Sequence, residues 1–148
     1  MKNKNLVRRL SVCAATCMIL VGGVVPSFAN NYTDTVFQFD FGLANGIRYT
    51  DGRAKTDKSK SYMKCNTITS GYSYSADVYA SLSGGDSVYC GTGTSYTFNA
   101  STGGKYLTNY VRENGYTAAK IGAKAGFNIK NVTATGVWSP DNYYNVQG

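Results

Sequence analysis

The sequence predicts an all-β protein: a single antiparallel β-sandwich of about seven to nine short strands, preceded by a cleaved signal peptide. Three observations predict this fold class. Apolar and polar residues alternate at period two in several segments, which is the repeat of a strand with one buried face. Turn signals recur every 8 to 14 residues. Tyrosine, glycine, serine, threonine and asparagine are abundant, and this composition favours strands and turns over helices.

Residues 1–29 are interpreted as a secretory signal. An uncharged apolar segment, residues 10–25, ends at Pro26 and is followed by Ser27-Phe28-Ala29, with small residues where a signal peptidase cuts. The preceding n-region is positive, with Lys2, Lys4, Arg8 and Arg9. Cleavage between Ala29 and Asn30 leaves a secreted, extracellular domain of 119 residues, 30–148.

Three other interpretations of this segment stay open. The first is a membrane anchor, but the apolar run of about 16 residues is shorter than the roughly 20 that a spanning helix needs. The second is a double-glycine leader site at Gly22-Gly23. The third is lipidation at Cys13 or Cys17, neither of which follows the small residue that a lipobox requires. With cleavage after Ala29, no membrane span is expected in the mature chain.

The first strands after the cut are predicted from alternation and turn signals. The opening segment is a strand because three phenylalanines recur at period two: Phe37, Phe39 and Phe41. Asn45-Gly46 marks a turn. Residues 47–56 form either one bent strand or two short ones.

The clearest alternation lies in the middle of the chain. Residues 61–68 and 74–82 are each predicted to be strands, and in the second segment the apolar side chains share one face. Gly84-Gly85-Asp86 supplies a turn. Residues 87–98 then return the chain and bring Cys90 towards Cys65.

The last third of the chain contains a predicted hairpin and two strands. Residues 101–104 are a loop, and Asn114-Gly115 indicates a tight hairpin turn. Alternation favours a strand over 119–125, with a helix as the alternative because of the alanines. Residues 131–139 form a final strand that ends at Pro140, with Trp138 on its core face.

The formal net charge of +7 is misleading, because four of the 15 basic residues lie in the signal and none of the 8 acidic residues does. The mature chain carries +3, which gives no electrostatic footprint for nucleic acid. The nearest approach to a basic patch is Arg53, Lys55, Lys58, Lys60 and Lys64. This cluster is either a solvated strand and loop or a contact for anionic wall polymers or lipid head groups.

Two cysteines remain after cleavage, Cys65 and Cys90. An even pair in an exported chain predicts a disulfide. It would close a loop of about 25 residues and stabilise the fold by roughly 3 kcal/mol. A metal site is the alternative, but the chain has no histidine, and zinc usually takes four ligands in which cysteine or histidine dominates.

The chain offers few groups for catalysis. Without histidine, Ser-His-Asp and Cys-His catalysis are excluded. Glu113 is the only glutamate, so a paired-carboxylate glycosidase would have to use aspartates, most of which fall at turns or on polar strand faces. No glycine-rich segment precedes a predicted helix, so phosphate binding has no support. We expect no catalytic residue, no metal and no cofactor.

Tyrosine is the remaining candidate for function. All 13 tyrosines lie after the cut. Five fall in neighbouring predicted strands: Tyr72, Tyr74, Tyr79, Tyr89 and Tyr96. On one exposed face they could stack on sugar rings or anchor a protein interface. The alternative is that they form cross-strand pairs that stabilise the sheet.

Four segments together carry a resemblance to a known family: YTDTVFQFDF, RAKTDKSKSYMKC, YLTNYVRENGYTAAKIGAKA and GVWSPD. The chain resembles small secreted Gram-positive bacterial proteins of a domain-of-unknown-function family, which is loosely related to the lactococcin-type β-sandwich bacteriocins. The resemblance covers nearly the whole mature chain. It implies a secreted β-sandwich with no assigned activity, and it carries no catalytic residues over.

These observations favour a secreted, non-enzymatic binding or interaction module of unknown ligand. The partner is unknown, and a cell-wall polymer or a surface protein is a candidate. The alternative is a bacteriocin-like toxin that acts on the envelope of competing bacteria, which draws on the resemblance, the small size and the mild positive charge.

Overall fold

The computed structural model describes residues 31–43, 46–126 and 130–142. The predicted signal peptide, its cleavage site at Ala29 and Asn30, and Asn45 of the first predicted turn lie outside the described residues. The described part is all-β, with one short 3₁₀ turn at Ser83–Gly85 and no α-helix. None of its helical segments has the length and hydropathy to cross a membrane.

Within the described residues ten strands follow one another in chain order: β1 (Thr35–Phe41), β2 (Arg48–Tyr49), β3 (Arg53–Ala54), β4 (Ser61–Ile68), β5 (Tyr74–Ser81), β6 (Ser87–Tyr89), β7 (Tyr96–Phe98), β8 (Lys105–Leu107), β9 (Ala118–Ala125) and β10 (Val132–Ser139). They exceed the predicted seven to nine because residues 87–98 split into β6 and β7, while the alternative of two short strands over 47–56 is confirmed as β2 and β3. The predicted strand at 119–125 is confirmed as β9, and the helix alternative is wrong.

The strands form two antiparallel sheets. The first sheet has the order β1-β10-β4-β8. In the second sheet β9 and β5 are the central pair; β2 and β3 both pair with the outer edge of β9, and β6 and β7 both pair with that of β5. The chain therefore has the predicted sandwich-like arrangement of two antiparallel sheets.

Period-two alternation explains the core between the sheets. The three phenylalanines of β1 are buried, as predicted. The ring of Phe39 makes an edge-to-face contact with the ring of Tyr74, which belongs to the second sheet, and the ring centroids are 5.9 Å apart. Tyr74 stacks on Phe98 at 5.6 Å. Trp138 is buried on β10, as predicted. Aromatic contacts of this kind add to the free energy of apolar burial.

The predicted hairpin at Asn114-Gly115 is wrong, although the turn itself exists. Gly115 has a φ of 83°, a conformation that favours glycine, and the amide N–H of Tyr116 donates to the carbonyl of Val111 at 2.9 Å. The flanking strands do not pair: β8 adds to the first sheet and β9 to the second. The turn therefore carries the chain across the sandwich, which a local turn signal does not distinguish from a hairpin.

The two cysteines of the described residues are separate thiols in the structure, and this departs from the predicted disulfide. Cys65 and Cys90 are both buried and both free. Cys65 lies on β4, where its thiol donates to the carbonyl of Thr67 at 3.3 Å. Cys90 follows β6, and its sulfur accepts a long contact of 3.9 Å from the Asn114 amide. Each sulfur thus has its own neighbours, one in the first sheet and one beside the crossing turn.

Candidate functional site

A row of three tyrosines crosses the outer face of the second sheet. Tyr49, Tyr79 and Tyr89 come from β2, β5 and β6. The Tyr49 and Tyr79 ring centroids are 5.3 Å apart at 90°, and those of Tyr79 and Tyr89 are 5.4 Å apart at 76°. Tyr49 is 40% and Tyr89 42% exposed. We call Tyr49, Tyr79 and Tyr89 the tyrosine row.

The row can form because β9 carries a glycine between β2 and β5. Gly122 is the register partner of both Tyr49 and Asp77. A Cβ atom at this position would overlap the Tyr79 ring and lie 2.9 Å from Cε1 of Tyr49. The missing side chain lets the two rings meet above β9, and it leaves space beside Asp77.

That space is a groove of about 390 Å³ beside Tyr79, the middle ring of the tyrosine row. Its lining comes from the loop before β2, from β5, from the loop before β7 and from the end of β9: Ile47, Ser75, Asp77, Tyr79, Ser95 and residues 122–126. The lining combines small residues with one aromatic ring, one carboxylate and the exposed amine of Lys124. We call this cavity the Asp77 groove.

Asp77 is the charged group held most tightly in this groove, with only 8% of the residue exposed. Ser95 Oγ donates to its Oδ2 at 2.5 Å. Its Oδ1 is buried and has no hydrogen-bond partner among the described residues. Burial raises the pKa of Asp77, and the Ser95 hydrogen bond offsets part of that effect.

A buried lysine packs beside the tyrosine row on the same face of the sheet. Lys120 Nζ lies 4.9 Å from the centroid of the Tyr49 ring and donates to the carbonyl of Gly85 at 2.8 Å. The first contact is a cation–π interaction, in which the ring face attracts the ammonium. Lys120 therefore holds the Tyr49 ring and the 3₁₀ turn next to each other.

The predicted tyrosine face is partly wrong. Tyr79 and Tyr89 do share the outer face. Tyr74 is a buried core residue, because β5 alternates and position 74 falls on the inner face. Tyr96 also faces inward, where its hydroxyl accepts from the Thr108 amide at 3.1 Å. Tyr72 packs partly buried against the core, with Lys130 Nζ 5.6 Å from its ring centroid.

Sequence reasoning missed Tyr49, the third member of the row. Its strand, β2, is only two residues long, so it has no alternation from which a face could be inferred. Only the pairing of Tyr49 with Gly122 assigns it to the outer face. A glycine amid the alternating residues of β9 was the one available signal, because glycine within a strand often marks a close approach.

The predicted basic patch is not one surface. Lys55 is buried; its Nζ donates to Asp141 Oδ1 at 3.0 Å and to the carbonyls of Ser59 and Pro140 at 2.6 and 2.7 Å. Arg53 lies with its guanidinium carbon 5.6 Å from the Trp138 ring centroid. Lys60 is half-buried, and only Lys58 and Lys64 are exposed. Two of the five cations therefore serve the fold.

Asp141 joins the buried lysine to the first described residue of the chain. Its Oδ2 accepts from the Asn31 amide at 3.0 Å, and from the Thr56 amide and hydroxyl at 3.0 and 2.6 Å. Burial alone would raise the pKa of Asp141, but these hydrogen bonds and the Lys55 ammonium hold it below its ordinary value. We call Asn31, Lys55, Thr56 and Asp141 the buried clamp.

No group of three or more histidine, cysteine, aspartate or glutamate side chains suited to a metal occurs within residues 31–43, 46–126 and 130–142. A family model described as a protein of unknown function, DUF2712, matches residues 25–142. No curated protein matches the chain, and no solved structure does.

Proposed function

Since the chain belongs to DUF2712, a family of unknown function, we propose its function from its own geometry: a secreted, non-enzymatic binding module for a cell-wall glycan. The tyrosine row beside the Asp77 groove carries this proposal. Tyrosine faces stack on the apolar faces of sugar rings, and a carboxylate in a shallow groove accepts hydrogen bonds from a sugar.

Two further observations support this assignment. The three rings are held by one another and by Lys120, so a ligand would meet a surface whose conformation is already ordered. The site also lies on paired strands rather than on a long loop. Both features lower the entropic cost of ordering the site when a ligand binds.

Removal of one ring tests the proposal. Tyr49→Ala should weaken binding of the mature protein to purified, insoluble cell-wall glycan by about fivefold, because the ring contributes stacking area. Tyr106→Ala is the matched control: Tyr106 is also 40% exposed, and its ring also meets another tyrosine, Tyr62, at 5.4 Å. Equal binding by both variants would contradict the site, and no binding by the wild type would contradict the function.

The bacteriocin-like alternative remains a separate proposal, motivated by the resemblance given above. It is tested by adding the purified mature protein, at micromolar concentration, to Gram-positive indicator strains. Growth inhibition that Tyr49→Ala leaves intact would favour a toxin whose action does not use the tyrosine row.

A further inference from the structure

One oxygen of the buried Asp77 carboxylate lacks the hydrogen-bond donor that usually accompanies a buried polar group. The side chain is more than nine-tenths buried, yet Oδ1 has no hydrogen-bond donor among the described residues. Burial of an unpaired carboxylate opposes folding. A charged group kept at such a cost beside an open groove is more readily explained by a ligand than by stability.

The cations on the same face do not neutralise Asp77. Lys120 and Lys124 of β9 share this face, because both lie an even number of positions from Gly122. Lys120 is committed to Gly85 and the Tyr49 ring. Lys124 is exposed and forms no ion pair with Asp77 within 4.0 Å in the described structure. Asp77 therefore lines the groove without a counter-ion among the described residues.

The surroundings of Asp77 suit an ammonium group in particular. The Tyr79 ring lines the same groove, and aromatic faces attract cations. The neighbouring Tyr49 ring already holds an ammonium, that of Lys120, at 4.9 Å. Ser75 and Ser95 add hydroxyl groups to the lining. A carboxylate, a ring and hydroxyls around one small space are complementary to an amine attached to a polar ring.

We propose that the Asp77 groove binds the primary ammonium of an amino sugar in the glycan that lies on the tyrosine row. The ammonium serves as the counter-ion of the Asp77 carboxylate at the wall of the groove, and the sugar ring lies against Tyr79. This inference rests on the proposed function and narrows its ligand from glycans in general to those with a free amine.

The test is an NMR titration of the mature protein with glucosamine, N-acetylglucosamine and glucose. Glucosamine should bind about tenfold more tightly than the two neutral sugars, and Asp77→Asn should remove that preference. Asp86→Asn is the control: Asp86 is exposed in the turn after the 3₁₀ segment and does not line the groove. Equal affinity of the wild type for all three sugars would overturn the inference.

The outcomes separate this inference from the proposed function. If neutral sugars bind as well as glucosamine and Tyr49→Ala weakens them, the ammonium site is wrong and the glycan module stands. If glucosamine is preferred but Tyr49→Ala leaves wall binding unchanged, the groove stands and the tyrosine row is wrong. Lysine amide separates the two sources of an amine: binding as tight as that of glucosamine would overturn the assignment to a sugar.

A second variant keeps the inference testable if Asp77→Asn folds poorly. Lys124→Gln removes a positive charge that repels the ligand's ammonium from the groove. It should strengthen glucosamine binding about twofold, with no effect on glucose binding.

The pH profile of glucosamine binding gives a further check. The charged and titratable side chains on the same face as Asp77 are Tyr49 on β2, Tyr79 on β5, and Lys120 and Lys124 on β9, and Ser95 before β7 donates to it. Glucosamine binding should strengthen as the pH rises through the titration of Asp77, and a profile unchanged by Asp77→Asn would contradict its role.

Discussion

At the scale of single residues, the candidate site depends on what Gly122 lacks. Its missing side chain allows the Tyr49 and Tyr79 rings to meet above β9, and it keeps the space beside Asp77 empty. A single Cβ atom would therefore act on the tyrosine row and on the groove together. Gly122 is needed for its size, since its φ is not in the left-handed region.

Gly122→Ala should destabilise the fold by about 1–3 kcal/mol, because the added methyl group forces the two packed rings apart. Gly126→Ala, directly after β9, is the control, since a Cβ at Gly126 has no neighbour within 4 Å. Denaturant unfolding monitored by tyrosine absorbance would compare the two. Equal free energies of unfolding would show that the rings move aside without cost.

At the scale of elements, the buried clamp fastens the chain entering β1 to the chain leaving β10. Asn31 lies four residues before β1 and binds Asp141, which lies two residues after the end of β10. Asn31 also donates its side-chain amide to the carbonyl of Ala54 on β3, at 2.9 Å. The Lys55–Asp141 pair thus joins elements from both sheets at one end of the sandwich.

Replacing either Lys55 or Asp141 alone should lower the free energy of unfolding by about 3–5 kcal/mol, because the remaining charge stays buried without its partner. Lys55→Met leaves the Asp141 carboxylate, and Asp141→Asn leaves the Lys55 ammonium. The double variant removes both charges and should recover part of the loss, which a double-mutant cycle of unfolding free energies would measure. Strictly additive losses would show that the two groups do not interact.

The pH dependence of the same pair has a defined sign. The folded-state pKa of Asp141 lies below its unfolded value. Its contribution to stability is therefore complete above the unfolded value of about 3.9, and is lost as the pH falls through the lower folded value. Asp141→Asn should flatten the acid side of the stability curve, while the exposed Asp86→Asn should not.

At the scale of the whole molecule, period-two alternation predicted where the strands lie in the sequence but not which strands pair with one another. The bounds of β4 and of the last strand follow from residues that alternate over eight positions. Alternation within one strand does not specify which sheet the strand joins. The turn at Asn114-Gly115 was therefore mistaken for a hairpin, and Lys55 for a surface cation, since its burial depends on Asp141, which lies 86 positions away.

The same limit explains the errors at the candidate site. Tyr79 and Tyr89 were predictable as neighbours because β5 and β6 are joined by a short turn. Tyr74 was misassigned although the alternation of residues 74–82 already put it on the same face as Ala76, because tyrosine suits both a core and an exposed face. The Asp77 groove requires Gly122, 45 positions away in the chain, to lie opposite Asp77. Only the pairing of β5 with β9 brings these residues together.

The intact mass of the protein, measured together with alkylation of its cysteines, tests secretion and fold in one experiment. Burial raises the pKa of the Cys65 thiol, and both mature thiols are buried and free, so neither should react in the native protein. Protein recovered from culture supernatant should have a mass that begins at Asn30. It should take up no alkylating reagent when native, and two alkyl groups in denaturant without reductant.

Each deviation from this result has a distinct meaning, because the cysteines divide between the two parts of the chain. Uptake only after reduction would show a Cys65–Cys90 disulfide and contradict the separate thiols of the structure. Four alkyl groups would show that Cys13 and Cys17, and hence the predicted signal, are retained. In that case the start of β1 would remain attached to the apolar segment, and the search for a ligand would move from the cell wall to the membrane surface.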